Sequence, residues 1–184
     1  MGRLKPKWKA ARRPRRAKRS GAATSLITVS EAETRSLGRR LGRLLRAGDF
    51  VGLIGSVGAG KTAFVRGVAK GAGVPFADVA SPTFAIVYPY QGRDLRLNHV
   101  DLYRLSDPEE LYATGYFDLI EGKQAALVEW LDRIPEAAVP DRLEIHFRDL
   151  GGDRRSLTLR ARGLRARQLS DLWLGSNRTG RRRG

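Results

Sequence analysis

The sequence predicts an α/β fold in three layers, a mixed central sheet flanked by helices, on three observations. An apolar run, Phe50-Val51-Gly52-Leu53-Ile54, passes through a glycine-rich stretch into a helix-compatible segment, the strand–loop–helix order of a parallel unit. Two further apolar strands each end in an acid, one at Asp101 and one at Glu129. In the second half, residues 143–147 and 156–161 alternate about Gly151-Gly152-Asp153, which adds antiparallel strands.

The elements follow in order. Residues 26–29 read as a short opening strand, and Ser30 with Glu33 three positions on fits a capping box. The helix behind it runs to about Arg46, with Leu37, Leu41, Leu44 and Leu45 on one face, and Gly48-Asp49 stops it. After the strand at 50–54, a helix over 62–71 is closed by Gly71 and Gly73. Pro82 makes 79–83 a loop. Residues 84–90 and 95–101 read as two strands joined by a hairpin-type turn over 91–94. Asp107 as cap and Pro108 at the first position open another helix. Residues 125–128 form a short buried strand, and a last helix covers about 165–173.

The chain has 184 residues, a formal net charge of +16 and no cysteine. Disulfides, thiolate metal sites and thiol catalysis are therefore excluded. The charge is unevenly placed. Residues 1–24 hold ten Lys or Arg and no acid, residues 175–184 hold four Arg and no acid, and the stretch between them carries 21 basic against 19 acidic side chains. The expected organisation is a disordered basic arm over 1–24, one domain over 25–174 and a basic tail over 175–184. Such arms suggest salt-sensitive attraction to RNA or acidic proteins, or they are solvated appendages. No run of about 18 apolar residues exists and the first residues lack the apolar stretch of a secretory signal, so a cytoplasmic location is expected.

Gly55-Ser56-Val57-Gly58-Ala59-Gly60-Lys61-Thr62 matches G-x-x-x-x-G-K-[ST], which makes the predicted fold P-loop NTPase-like. Glycines let backbone N–H groups turn onto a phosphate, and the following helix, opening near Ala63, presents its positive end. Lys61 would reach the β- and γ-phosphates as a point charge and the Thr62 hydroxyl would ligate Mg²⁺. The loop needs a carboxylate from a neighbouring strand end to hold the metal or position a water, and either Asp101 or Glu129 can supply it. Thr83, after Ser81-Pro82, is a candidate γ-phosphate sensor, although turn chemistry alone also accounts for that triplet. His99 shares the strand face of Asp101 and reads as a packed, hydrogen-bonded core residue. Trp130 lies over the nucleotide or in the core, and the sequence does not decide between them.

Ser81-Pro82-Thr83-Phe84, His99-Val100-Asp101-Leu102-Tyr103-Arg104-Leu105, Asp107-Pro108-Glu109-Glu110-Leu111 and Val128-Glu129-Trp130, added to the loop, resemble the TsaE family in order and spacing over about residues 26–150. The resemblance implies a small ATPase of tRNA threonylcarbamoyladenosine biosynthesis, which uses ATP and Mg²⁺ and works with the TsaB and TsaD proteins. That machinery places a threonylcarbamoyl group on adenosine 37 of tRNA. By the same resemblance Lys61 and Thr62 are the phosphate lysine and metal threonine, and Asp101 and Glu129 are the acids on the metal and water side. Thr83 belongs to a switch-like loop and Trp130 is the aromatic beside the nucleotide. Ser56-Val57 stand where the family commonly has Asp-Leu. Two other classes use parts of the same evidence: a small-molecule or nucleoside kinase, which needs a lid and extra arginines that 102–122 does not offer beyond Arg104, and an RNA-binding protein acting through its tails.

Overall fold

The computed structural model describes residues 24–75, 86–121 and 124–179, with side chains through Gly175. Thr83 and the rest of the Ser-Pro-Thr loop, the first residues of the strand expected from Phe84, and residues 1–23 and 180–184 of the basic arms lie outside the described residues. No described helix is long and apolar enough to cross a membrane.

Strand β1 (Thr24–Thr28) leads to α1 (Glu31–Gly42), whose N-cap Ser30 accepts a hydrogen bond from the Glu33 amide at 3.1 Å. The Glu33 carboxylate reaches back to the Val29 amide, one residue before the cap, at 2.9 Å. The helix ends at Gly42, short of the expected Arg46, because the chain must turn into β2 (Phe50–Ile54). The Leu44 amide already bonds three residues back to Leu41, and Asp49 caps the Arg46 amide at 2.7 Å. Asp49 is 3% exposed and pairs with the Arg165 guanidinium through two bonds of 2.7 Å, which locks this turn to the start of the last helix.

Helix α2 (Lys61–Gly71) follows the glycine loop, then β3 (Val87–Gln91), β4 (Arg96–Asp101), α3 (Pro108–Ala113), α4 (Tyr116–Glu121) and β5 (Ala125–Glu129). Asp107 caps α3 with Pro108 at its first position, as expected; α4 was not expected, and it is held by buried Tyr116, whose hydroxyl donates to the Ala137 carbonyl at 2.7 Å. A 3-10 turn at Pro135–Ala137 precedes β6 (Arg142–Asp149), β7 (Arg155–Arg162) and α5 (Leu164–Thr179). Helix α5 runs past the expected end at Trp173 and takes up the start of the region assigned to a basic tail. Trp173 is fully buried, with its indole N–H on the Leu37 carbonyl at 3.1 Å, and the exposed Gly175 beyond it costs only about 1 kcal/mol in a helix.

The sheet order is β1-β7-β6-β2-β5-β4-β3. The four central strands β6, β2, β5 and β4 are parallel, while β3, β7 and β1 add antiparallel edges. One face packs Leu53, Leu97 and Leu127 against Leu41 of α1, Phe64 and Val68 of α2 and Trp173 of α5. The other packs Phe50, Val100 and Val128 against Leu111 of α3, Tyr116 of α4 and Ile134. The predicted three-layer α/β fold with a mixed sheet is therefore the fold observed. Its consequence for function lies in the register: Glu129 stands beside Leu53 on one side and Asp101 on the other, so two acids end adjacent strands where β2 enters the glycine loop.

Away from that edge, Glu144 on β6 is 6% exposed and receives Arg142 and Arg162 at 2.8 and 3.0 Å. Burial pushes its carboxyl up, but the two guanidinium groups outweigh burial and hold it below the ordinary 4.5. A depressed carboxyl contributes stability above its unfolded value and loses it as pH falls through the folded one. Melting temperature is therefore expected to fall more steeply below about pH 4.5 in the wild type than in Glu144→Gln, measured by thermal melts from pH 7 to pH 3.

Candidate nucleotide site

The loop between β2 and α2 turns on glycines in the left-handed region, Gly58 at φ 76° and Gly60 at φ 100°. Gly60 is also the N-cap of α2 and offers no side chain, so the first amides of the helix receive no side-chain cap and remain available to an anion. Gly55 lies against the Phe147 carbonyl of β6, where a Cβ would stand 2.6 Å from that oxygen.

A cleft of about 340 Å³ opens on this loop. Val57, Gly58, Gly60, Lys61, Thr62 and Ala63 line it from the loop and α2, Asp101 and Glu129 from the strand ends, and Tyr103 and Trp130 from the turns beyond them. The remaining expected loop residues sit around it. Gly55 and Ser56 contribute backbone carbonyls, and Ala59 is 1% exposed in the core.

Lys61 is 5% exposed, and its ammonium donates to the carbonyls of Gly55 at 2.7 Å and Ser56 at 2.9 Å. It also lies 3.8 Å from the centre of the Trp130 ring. Burial lowers its pKa, and the carboxylates of Glu129, Asp101 and Asp132 pull in the opposite direction. Trp130 has φ 60°, the sole positive value at a non-glycine among the described residues. A bulky side chain in that region costs roughly 1–2 kcal/mol. The kink is held by the Trp130 amide on the Leu53 carbonyl at 2.9 Å and by the Arg133 amide on the Trp130 carbonyl at 3.0 Å. It turns the indole over the lysine, so Trp130 lines the cleft and also packs against the second face's core.

Asp101 accepts from the Tyr103 amide at 2.9 Å. Burial raises its pKa, opposed by that amide and reinforced by the neighbouring Glu129 charge. Glu129 is 2% exposed and accepts from the His99 Nε2 at 2.9 Å, with Oε1 as the bonded oxygen. Tyr103 packs on Trp130 with ring centroids 5.0 Å apart and a 46° tilt, and the Arg133 guanidinium lies 5.5 Å from the Tyr103 ring centre. Sequence reasoning assigned no role to Tyr103, Asp132 or Arg133. For Tyr103 the signal was present in the quoted stretch His99–Leu105; for the other two, only the turn after Trp130 brings them near.

The donor set fits a magnesium ion. Asp101, Glu129 and Thr62 offer only oxygen, and among the described residues no three His, Asp or Glu side chains are grouped to hold a metal alone. Magnesium suits that arrangement, because it commonly takes one or two protein carboxylates and completes its shell with phosphate and water.

The family profile described as "Threonylcarbamoyl adenosine biosynthesis protein TsaE" matches residues 28–157, a span that includes the loop, both strand-end acids and Trp130. The chain belongs to the TsaE family. It is 36% identical over 144 residues to the tRNA threonylcarbamoyladenosine biosynthesis protein TsaE of Bacillus subtilis, covering 78% of this chain and 89% of that one. The TsaE of Streptomyces coelicolor is 44% identical over 121 residues, 65% of this chain and 81% of its own length. The crystal structure of Bacillus subtilis YdiB superposes with a TM-score of 0.68 at 29% identity, covering 86% of this chain and 99% of that one. This TsaE-family chain thus matches the named relatives over 81–99% of their length, and the basic arms fall outside the span matched by the family profile.

Proposed function

We propose that this protein is an ATP hydrolase that supports threonylcarbamoylation of adenosine 37 in tRNA, acting in the cytoplasm with TsaB and TsaD. One observation carries the reading: an uncapped helix start, a buried lysine and two strand-end carboxylates converge on one cleft. The relatives' shared description as tRNA threonylcarbamoyladenosine biosynthesis proteins supports the process, and the partners are carried by the motif resemblance alone.

In this reading the amides from Gly58 to Ala63 receive the phosphates, and Lys61 exchanges the carbonyls of Gly55 and Ser56 for phosphate oxygens. The lysine is poised for that exchange, since its present acceptors are neutral and phosphate is charged. Thr62 and Asp101 would hold Mg²⁺, and the ion would supply neutralisation of the charge that develops on the transferred phosphoryl group. Glu129 takes the proton of the attacking water, and Trp130 screens the lysine from solvent. Thr83 is proposed as the terminal-phosphate sensor on its Ser-Pro-Thr triplet in the sequence alone.

Calorimetric titration of the wild type with ATP and magnesium is expected to give saturable heat, and Lys61→Ala to abolish it. Phosphate should appear free rather than on an acceptor, slowly for the chain alone and faster with TsaB and TsaD present. Absence of heat even with both partners would end the proposal.

A further inference from the structure

We propose that Tyr90 and His99 form a positioning relay that holds one oxygen of Glu129 and leaves the other to the nucleotide cleft. The inference rests on reading that cleft as an ATP-hydrolysing site. Its three members stand on adjacent strands and on one sheet face: Glu129 on β5, His99 on β4 and Tyr90 on β3. All are buried, at 2%, 1% and 3% exposure.

In the relay the 2.9 Å contact between Glu129 Oε1 and His99 Nε2 carries its hydrogen on the nitrogen, which donates to the carboxylate. A neutral imidazole protonated at Nε2 has Nδ1 as an acceptor, and Nδ1 faces the Tyr90 hydroxyl at 3.3 Å. Burial, followed by the neighbouring Tyr88 and Glu129, pushes the Tyr90 hydroxyl up to about 12, so it keeps its proton and donates. A Tyr90 proton directed at Nδ1 favours the Nε2–H tautomer, and that N–H ties down one of the two equivalent carboxylate oxygens. Rotating Glu129 would break a buried charge-assisted hydrogen bond, so Oε2 is the oxygen left for a water in the cleft. His99 and Tyr90 are not among the residues that line the cleft, so the relay acts on orientation rather than on nucleotide contact. A base displaced by about 1 Å loses on the order of 100-fold in rate.

The test uses the full chain with its partners and three variants. His99→Phe keeps ring volume and removes the donor, His99→Gln restores an N–H near the Nε2 position, and Tyr90→Phe removes the distal hydroxyl. Single-turnover phosphate release at saturating MgATP is expected to fall about 100-fold in His99→Phe, with MgADP affinity within about threefold of wild type. His99→Gln should recover at least about tenfold of that loss, and Tyr90→Phe should lose less than His99→Phe. A rate in His99→Phe within about twofold of wild type, failure of glutamine to restore it, or affinity falling in step with rate would overturn the relay.

A second readout needs no turnover. The chain has two histidines, so long-range proton–nitrogen spectra of the wild type and of His146→Gln identify His99 directly. The Nε2–H tautomer is expected, with its population reduced in Tyr90→Phe. A Nδ1–H tautomer overturns the relay whatever the rates show. A wild type that binds MgATP and releases no phosphate sinks the hydrolase reading instead, and the tautomer still decides the relay.

Discussion

Glu129→Gln is expected to lower single-turnover ATP hydrolysis by about 10²–10⁴-fold, the ordinary contribution of a general base, while MgATP still binds. Glutamine keeps the shape of the side chain and an oxygen for His99 Nε2, so the buried hydrogen bond at 2.9 Å survives the change. What disappears is the proton acceptor and one negative charge at the cleft. Asp101 and Thr62 still line the same wall, and Lys61 still has neighbouring carboxylates at Asp101 and Asp132. Binding and chemistry therefore separate in this variant, whereas Lys61→Ala removes binding itself. Phosphate release measured at saturating nucleotide, beside a calorimetric titration, distinguishes the two. A rate within about threefold of wild type would mean that water is activated elsewhere.

The sequence carried the parts of this site whose physics is local. The loop pattern requires glycines where φ is positive, and Gly58 and Gly60 are there; the caps at Ser30 and Asp107 each need one hydroxyl or carboxylate at a fixed offset. That Asp101 and Glu129 end strands was visible for the same reason. Their adjacency was not, because strand order is set by how helices cover the two faces, and nothing in either segment records that β5 lies between β2 and β4. The bond from His99 to Glu129 depends on that order and was equally hidden, leaving the histidine to be read only as packed and hydrogen-bonded. The left-handed backbone at Trp130 was unreadable too, since propensity argues against it and the bonds that hold it, to the Leu53 carbonyl and from the Arg133 amide, exist only in the fold.

A second large effect lies in a feature that sequence reading counts as weakness, glycine inside helices. Gly38 and Gly42 of α1 face the carbonyls of Phe64 and Val68, while Gly67 and Gly71 of α2 face those of Arg35 and Arg39. At each of the four positions a Cβ would collide with backbone oxygen, so the helices pack at a distance only hydrogen permits. Gly67→Ala gains up to about 1 kcal/mol of helix propensity. It must also push α1 and α2 apart, and overpacking against an element that cannot rotate away costs about 1–3 kcal/mol or more. After the propensity gain the net expectation is destabilisation of up to about 2 kcal/mol, with melting temperature lower by up to roughly 8 °C at 2–4 °C per kcal/mol for a domain of this size. Gly175→Ala makes the same chemical change in α5, where nothing lies within 4 Å, and is expected to leave stability unchanged or raise it by up to about 1 kcal/mol. The two substitutions should therefore move thermal melts in opposite directions. Because α2 begins at Lys61, displacement of this helix should also weaken MgATP binding in Gly67→Ala and leave it untouched in Gly175→Ala. Equal melts for the two variants would show that the α1–α2 contact relaxes without cost and that close approach is not what those glycines provide.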